Sequence, residues 1–526
     1  MSEKKEHTWL KSKGYLHITA QIDVQKREHE LVAKITNPNF VSRYAFYPLI
    51  HTNINERRYK RLPHDSSKRA HSYIDEEKGP VRNIKCRPLH YATHLDAMIF
   101  SYYAQVLQEE YEKEIAKYNT LCDCIIAYRK IPSDVEGKHK STIHFAKEIF
   151  DEIKIRAAKE EECVVLTFDI KSFFSNLNHA RLKDTWAKVL GVDRLPDDHY
   201  NVFRASTLFS YIYLDELRLG KKYKGRRPSF DEKELARIRN KHGIHAFFES
   251  PKAFRDKVKD GSVKLYKYPF RDKETKEPIG IPQGLPISAT LANLYLLEFD
   301  KKVLEEVVCM FGGYYRRYSD DIVVVCSRAH AVTVEEFILE AIKESKVKIS
   351  TEKTERFLFK KVAFGKKEPR LTSIKLNEQG EHIGSPFNYL GFEFNGQKAL
   401  IKSANLGKFY RRMIQSVKRK AKRAKKEAEK TPGAKPYIHR RQLYKLYTAK
   451  PLTNTKVRSR WKKIVQIENG DFRLKTGIKN KELRSNYLTY VRRASEIMEE
   501  PAIENQIRKH KAIFNRAIHK HLNKNK

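Results

Sequence analysis

"RRYSDDIVVV", residues 316–325, places two adjacent carboxylates, Asp320 and Asp321, at the polar turn between two strand-like runs. The pair would repel, and neither acid has a cation next to it in sequence. One reading is a β-hairpin whose tip uses Ser and Asp as turn formers. The other is that the tip holds a divalent metal ion whose charge removes the repulsion. The rest of the chain decides between them.

The chain has 526 residues, with 106 Lys+Arg against 65 Asp+Glu and a formal net charge of +41. Such an excess calls for a polyanion, and nucleic acid is the first candidate. A membrane surface is discounted, because the charge is spread along most of the chain and no amphipathic anchor is visible. The N-terminal "MSEKKEHTWL" has no apolar signal core, and stretches such as "DAMIFSYYAQVL" fall short of a membrane span. The cysteines at 86, 122, 124, 163, 309 and 326 form no paired pattern, and "CDC" is too tight for a zinc knuckle. Reduced thiols and a cytoplasmic location are expected.

Residues 95–118 read as one long helix by their three- and four-residue apolar steps, and "CVVLTFDI" (163–170) as a buried strand. A more polar insert follows. A helix is expected to begin near Pro286 or Ser288, with "ATLANLYLLEFDKKVLEEV" as its body. "GGYYRRYSDDIVVVCS" reads as strand, tight turn, strand. Beyond about residue 400 the chain turns basic and helical, with seven Lys or Arg among the nine residues 418–426. Three regions are expected: 1–160, 161–395 with an insertion at about 190–275, and 396–526.

Phosphoryl transfer with two metal ions needs carboxylates on separate rigid elements, converging so that the ions lie about 3.5–4 Å apart. Asp169 ends "CVVLTFD", where its side chain would stand at a strand tip and the neighbouring Ile170 could lend a carbonyl oxygen. Alone, Asp169 reads equally as a helix N-cap. Between the acids lies "GIPQGLPIS" (280–288), where Gly284 permits close approach to a planar base or sugar and Gln283 offers both donor and acceptor.

"FDIKSFF", "GIPQGLPIS", "YSDD" and "NYLGFEF" occur in that order, and together they resemble the palm motifs of reverse transcriptases over residues from about 80 to 395. The resemblance implies an α+β right-hand polymerase with palm and fingers, a helical thumb and a basic C-terminal extension. It implies Asp169 and Asp320 as a metal-binding pair with Asp321 adjoining, for two Mg2+ ions with Mn2+ as substitute. Phe174 matches the bulky residue that excludes a 2'-OH and so selects dNTPs; core packing is its alternative reading. Gln283 and Gly284 match the incoming-nucleotide motif. Lys353 resembles a lysine near the pyrophosphate, as against an ordinary surface lysine. Tyr389, Leu390 and Gly391 look like the primer grip. In "NIKCRPLHYATHLDAMI" Arg87 is the first choice to hold the triphosphate and Lys85 the second. Arg129 is a candidate nucleotide or template contact.

No RNase H, protease, integrase or endonuclease segment is recognisable. "AYRKIP" (127–132) replaces the "YGFRPGRS"-like motif of group II intron proteins, which is similar to the bacterial unknown-group and abortive-infection enzymes of antiviral defence. A structured non-coding RNA, as template or scaffold, is the expected partner, with a DNA product or RNA–DNA hybrid and a homo-oligomer besides. Tyr410, Tyr444 and Tyr447 could stack on bases. The alternatives are a template-independent, protein-primed or maturase-like polymerase, and a silent RNA-binding scaffold.

Overall fold

The computed structural model describes residues 7–523 except 64, 66, 76–78, 220–227, 269, 364, 366–367, 379, 441–442, 444–445, 448–455, 468 and 483–485. Tyr444 lies outside the described residues. In chain order, β1 (Leu49–Arg57) and β2 (Ile84–Tyr91) form an antiparallel pair. The long helix α1 (His94–Ala116) follows, as the apolar spacing predicts, and then α2 (Thr142–Lys159). Next come β3 (Glu162–Asp169), β4 (Ser210–Tyr213), helix α3 (Glu232–His242) and the short β5 (Tyr266–Lys267). The first sheet has the order β2-β1-β4-β5, so the polar insert contributes two of its strands.

Helix α4 (Ser288–Tyr295) begins at one of the two expected positions. It is not one long rod: the chain bends at Leu296, continues as α5 (Leu297–Val303) and widens to π-helical turns over Leu304–Met310. β6 (Tyr314–Tyr318) and β7 (Asp321–Cys326) make the expected hairpin, followed by β8 (Glu355–Val362), β9 (Arg370–Asn377) and β10 (Gly380–Ile383). These join β3 in an antiparallel sheet of order β6-β7-β3-β8-β9-β10.

The unbroken apolar runs have a direct cause: the sheet is covered on both faces. Val164, Leu166 and Phe168 of β3, with Ile322 and Val324 of β7, face one core shared with α1 and α4. Cys163 and Val165, with Val323 and Val325, face a second core built with α2 and the C-terminal part of the chain. Alternation therefore buries both residue sets.

β11 (Phe387–Tyr389), β12 (Phe392–Phe394) and β13 (Ala399–Ile401) form a three-stranded sheet on that second core, and helix α6 (Ser403–Ala428) buries Phe409, Met413, Val417 and Ala421 there. Leu406, Tyr410, Ile414 and Ala424 widen that apolar stripe, and most of the other positions are Lys or Arg. The expectation that everything after residue 400 is helical needs correction. β14 (Lys456–Gln466) and β15 (Phe472–Glu482) form an antiparallel ribbon before the terminal helices. Among the described residues no helix is long and apolar enough to cross a membrane, and the six cysteines are unbridged.

Candidate active site

The β6–β7 turn is a two-residue loop, Ser319–Asp320, between the paired Tyr318 and Asp321. Ser319 takes a φ of +62°, a left-handed value that favours glycine at the first position of such a turn. On the other side of β7, Asp321 stands opposite Asp169 in the antiparallel ladder. The Ile170 N–H donates to the Asp320 carbonyl at 3.1 Å, and the Ser350 N–H to the Asp169 carbonyl at 2.8 Å. Three acids separated by some 150 residues of chain are thus brought to one end of one sheet.

Their electrostatics reflect the crowding. Burial, then the charges of Asp320 and Asp169, push Asp321 up to about 6, although its side chain still reaches solvent along the open side of the cleft. Asp320 is raised by burial first and by Asp169 next, with Lys85 and Lys353 opposing. The Lys353 ammonium pairs with Asp169 at 2.5 Å. Lys85 is lowered by burial and by the cations Arg87, Arg58 and Lys353, with Asp169 pulling the other way.

Acids raised by one another's charge are what a divalent cation would relieve, and carboxylate oxygens are its preferred ligands. Even so, among the described residues no three His, Cys, Asp or Glu side chains stand converged on one point as metal ligands. Asp169 is turned to Lys353, so a cation bound there has to displace that ammonium. The donor set fits a Mg2+-type ion in its chemistry, with Asp169 re-aimed.

Phe174 lies on a 3-10 turn, half-buried, while its neighbour Phe173 points into the core. The Phe174 carbonyl accepts from the Ile281 N–H at 2.7 Å, which seats "GIPQG" against it. The Gln283 carbonyl accepts from the His90 N–H at 2.8 Å. Gly284 has φ +115°, and a Cβ there would lie 2.5 Å from the His90 carbonyl oxygen. The glycine thus lets this turn pack closely against the backbone of β2.

Residues 243–394 match the family described as "Reverse transcriptase (RNA-dependent DNA polymerase)". The chain carries a reverse transcriptase domain. The match includes Gln283, Gly284, Asp320, Asp321 and Tyr389–Gly391; Asp169 and Phe174 lie upstream of it. No curated protein matches. Similar solved structures include apo telomerase from Candida tropicalis truncated from its C-terminal domain, at 11% identity over 61% of this chain and 53% of that one, TM-score 0.35. Another is telomerase from Candida albicans with the TWJ fragment of telomeric RNA, at 12% identity over 71% and 49%, TM-score 0.35. The chain spans about half the length of these structures. The fold is the right-hand α+β one, and five of the six strands of the β6-β7-β3-β8-β9-β10 sheet, all but β3, lie within the match.

On β2, Lys85 stands close enough to Asp169 to feel its charge, whereas Arg87 donates to Glu56 at 3.1 Å. Glu56 also pairs with Arg58 at 3.2 Å and with Lys408 of α6 at 2.5 Å, which hold its carboxyl down to about 2, Lys408 most of all. Arg411 of the same helix lies 4.3 Å from the Tyr59 ring centroid. Between β1 and α6 is a cleft of about 620 Å³ walled by Arg57 on one side and Arg412, Lys418 and Arg419 on the other.

Arg129 is not a nucleotide contact. Its guanidinium is buried, forks onto Glu112 at 2.5 and 2.8 Å, and donates to the carbonyls of Cys122 and Ile125. It clamps a loop to α1. Leu390 and Gly391 form the β11–β12 turn with φ of +43° and +95°. Tyr389 is buried close enough to Asp321 to feel its charge, and among the described residues its hydroxyl has no hydrogen-bond partner. Tyr447 bonds Ser416 at 3.0 Å, and Tyr410 packs edge-on against Phe409.

A further group went unnoticed in the sequence. Arg317 is fully buried on the core face of β6 and forks onto Asp300 at 2.6 and 2.7 Å. It also donates to Asn293 at 3.3 Å and to the Ser319 carbonyl at 3.2 Å. Tyr315 donates to the same Asp300 at 2.6 Å. The left-handed residue beside Asp320 is therefore held from inside the core. An Asp and an Arg seventeen residues apart carry no recognisable sequence signal until the facing of each element is known.

Proposed function

We propose that the chain is an RNA-directed DNA polymerase that extends a primer with dNTPs on a structured RNA it carries, in bacterial antiviral defence. The observation that carries the polymerase reading is Asp169 opposite Asp321 and beside Asp320, in and next to the reverse transcriptase match. Two divalent ions, Mg2+ with Mn2+ as substitute, would be held by Asp169, Asp320, Asp321 and the Ile170 carbonyl, and would supply ionisation of the primer hydroxyl and neutralisation of the leaving group. In the reaction the primer 3'-oxygen bonds the α-phosphorus as the α–β bridge breaks and pyrophosphate leaves. Lys85 and Lys353, the cations beside the acids, would meet the triphosphate, and Lys353 would give the pyrophosphate a proton. Phe174, half-exposed beside "GIPQG", supports selection of dNTPs by its bulk.

The net charge of +41 supports a resident RNA, since it exceeds what a short primer–template needs. The defence role rests on "AYRKIP" in place of the intron-type motif. The test is incorporation by protein purified with its own nucleic acid, given Mg2+ and each dNTP or NTP in turn, beside an Asp320→Ala, Asp321→Ala double variant. DNA made by the intact chain alone is the expected result, and its sequence identifies template and primer. RNA that co-purifies with a protein that incorporates nothing would replace this reading with that of a scaffold.

A further inference from the structure

The ribbon β14–β15 takes no part in the chemistry above. Its two eleven-residue strands reach about 37 Å at the antiparallel rise. A lone two-stranded ribbon is marginal in water, so this one needs support. One end has it: a Cβ on Gly243, just past α3, would lie 2.6 Å from the Phe472 ring. Ile464 and Leu474, paired in register, are half-buried on the same face as Phe472.

The opposite face is different. Register places Trp461, Arg473 and Lys475 on it. Trp461, Arg473 and Lys475 are exposed, and the Trp461 ring lies over Gly477, where a Cβ would collide with it. A long, narrow element that presents exposed cations is suited to phosphate backbones. One aromatic ring does not make the run of platforms that an unpaired strand requires, so a duplex is the better fit.

We propose that this face binds a helical stem of the structured RNA, the ribbon lying along the wide, shallow groove of an A-form duplex with Trp461 against the ribose edges. The choice of RNA rests on the function proposed above.

The test uses the full chain, freed of nucleic acid by high salt and nuclease, and anisotropy with an RNA stem-loop of about 16 base pairs. A B-form DNA duplex of the same sequence is the second probe, titrated from about 50 to 200 mM salt. An Arg473→Gln, Lys475→Gln variant with wild-type melting temperature is expected to bind the RNA stem about tenfold more weakly, with a salt slope lower by about two. Trp461→Ala is expected to weaken the RNA stem more than the DNA duplex. Wild-type affinity and slope in the charge variant would overturn the proposal, and so would equal losses on RNA and DNA in both variants. Binding is read without dNTPs. A chain that binds stems through the ribbon yet makes no DNA therefore overturns the polymerase reading alone, while a chain that polymerises with an indifferent ribbon overturns only this one.

Discussion

At Asp321 the fold holds an acid in a place that favours its neutral form, at about 6. A carboxyl raised on folding adds to stability below its unfolded value and loses that contribution as the pH rises through the folded one. Asp321→Asn should therefore melt above the wild type at pH 8, with the gap closing as the pH falls from about 6 to about 4. Mg2+ should raise the melting temperature of the wild type more than that of the variant. Replacing Arg317 alone leaves Asp300 buried without its counter-ion and should cost about 3–5 kcal/mol. The paired Arg317→Met, Asp300→Leu variant should melt near the wild type yet incorporate dNTPs about a hundredfold more slowly, because the turn beside Asp320 is no longer held. Phe174→Ala should lower the preference for dNTPs over NTPs by about tenfold or more, read from competing kcat/KM values. The acids were legible because each interrupts an apolar run. Arg129 was misjudged because a sequence displays a charge without its partner, here Glu112.

Among elements, β3 and β7 were readable for the same reason that they are stable: both faces are covered, so "CVVLTF" and "IVVV" are apolar but for Thr167. α1 showed its helical spacing clearly. β14 and β15 were missed because Lys and Arg stand at both odd and even positions of "KVRSRWKKIVQ", which leaves no clean apolar alternation. The bend at Leu296 was also hidden, since an apolar helix and a kinked one share a composition. The joint between β2 and the turn before α4 is exposed to a single change. Gly284→Ala puts a side chain on a left-handed backbone against the immobile His90 carbonyl. It should cost about 1–3 kcal/mol in thermal or denaturant unfolding and lower incorporation at the same time.

For the whole molecule, one carboxylate gathers cations from both β1's sheet and α6. Glu56 draws Arg58 and Arg87 from its own sheet and Lys408 from α6, next to a cleft walled by four more cations. Glu56→Gln should speed association with RNA at low salt, and the difference should vanish at high salt, as stopped-flow rates would show. The charge total pointed to a polyanion, but it could not say where one would enter; that needed β1 and α6 side by side. Seen as an exchange site, Glu56 is an internal anion lodged where an external one would go. A phosphate brought to this cleft would meet cations already gathered and oriented around a carboxylate, and one that displaced Glu56 would also free Lys408.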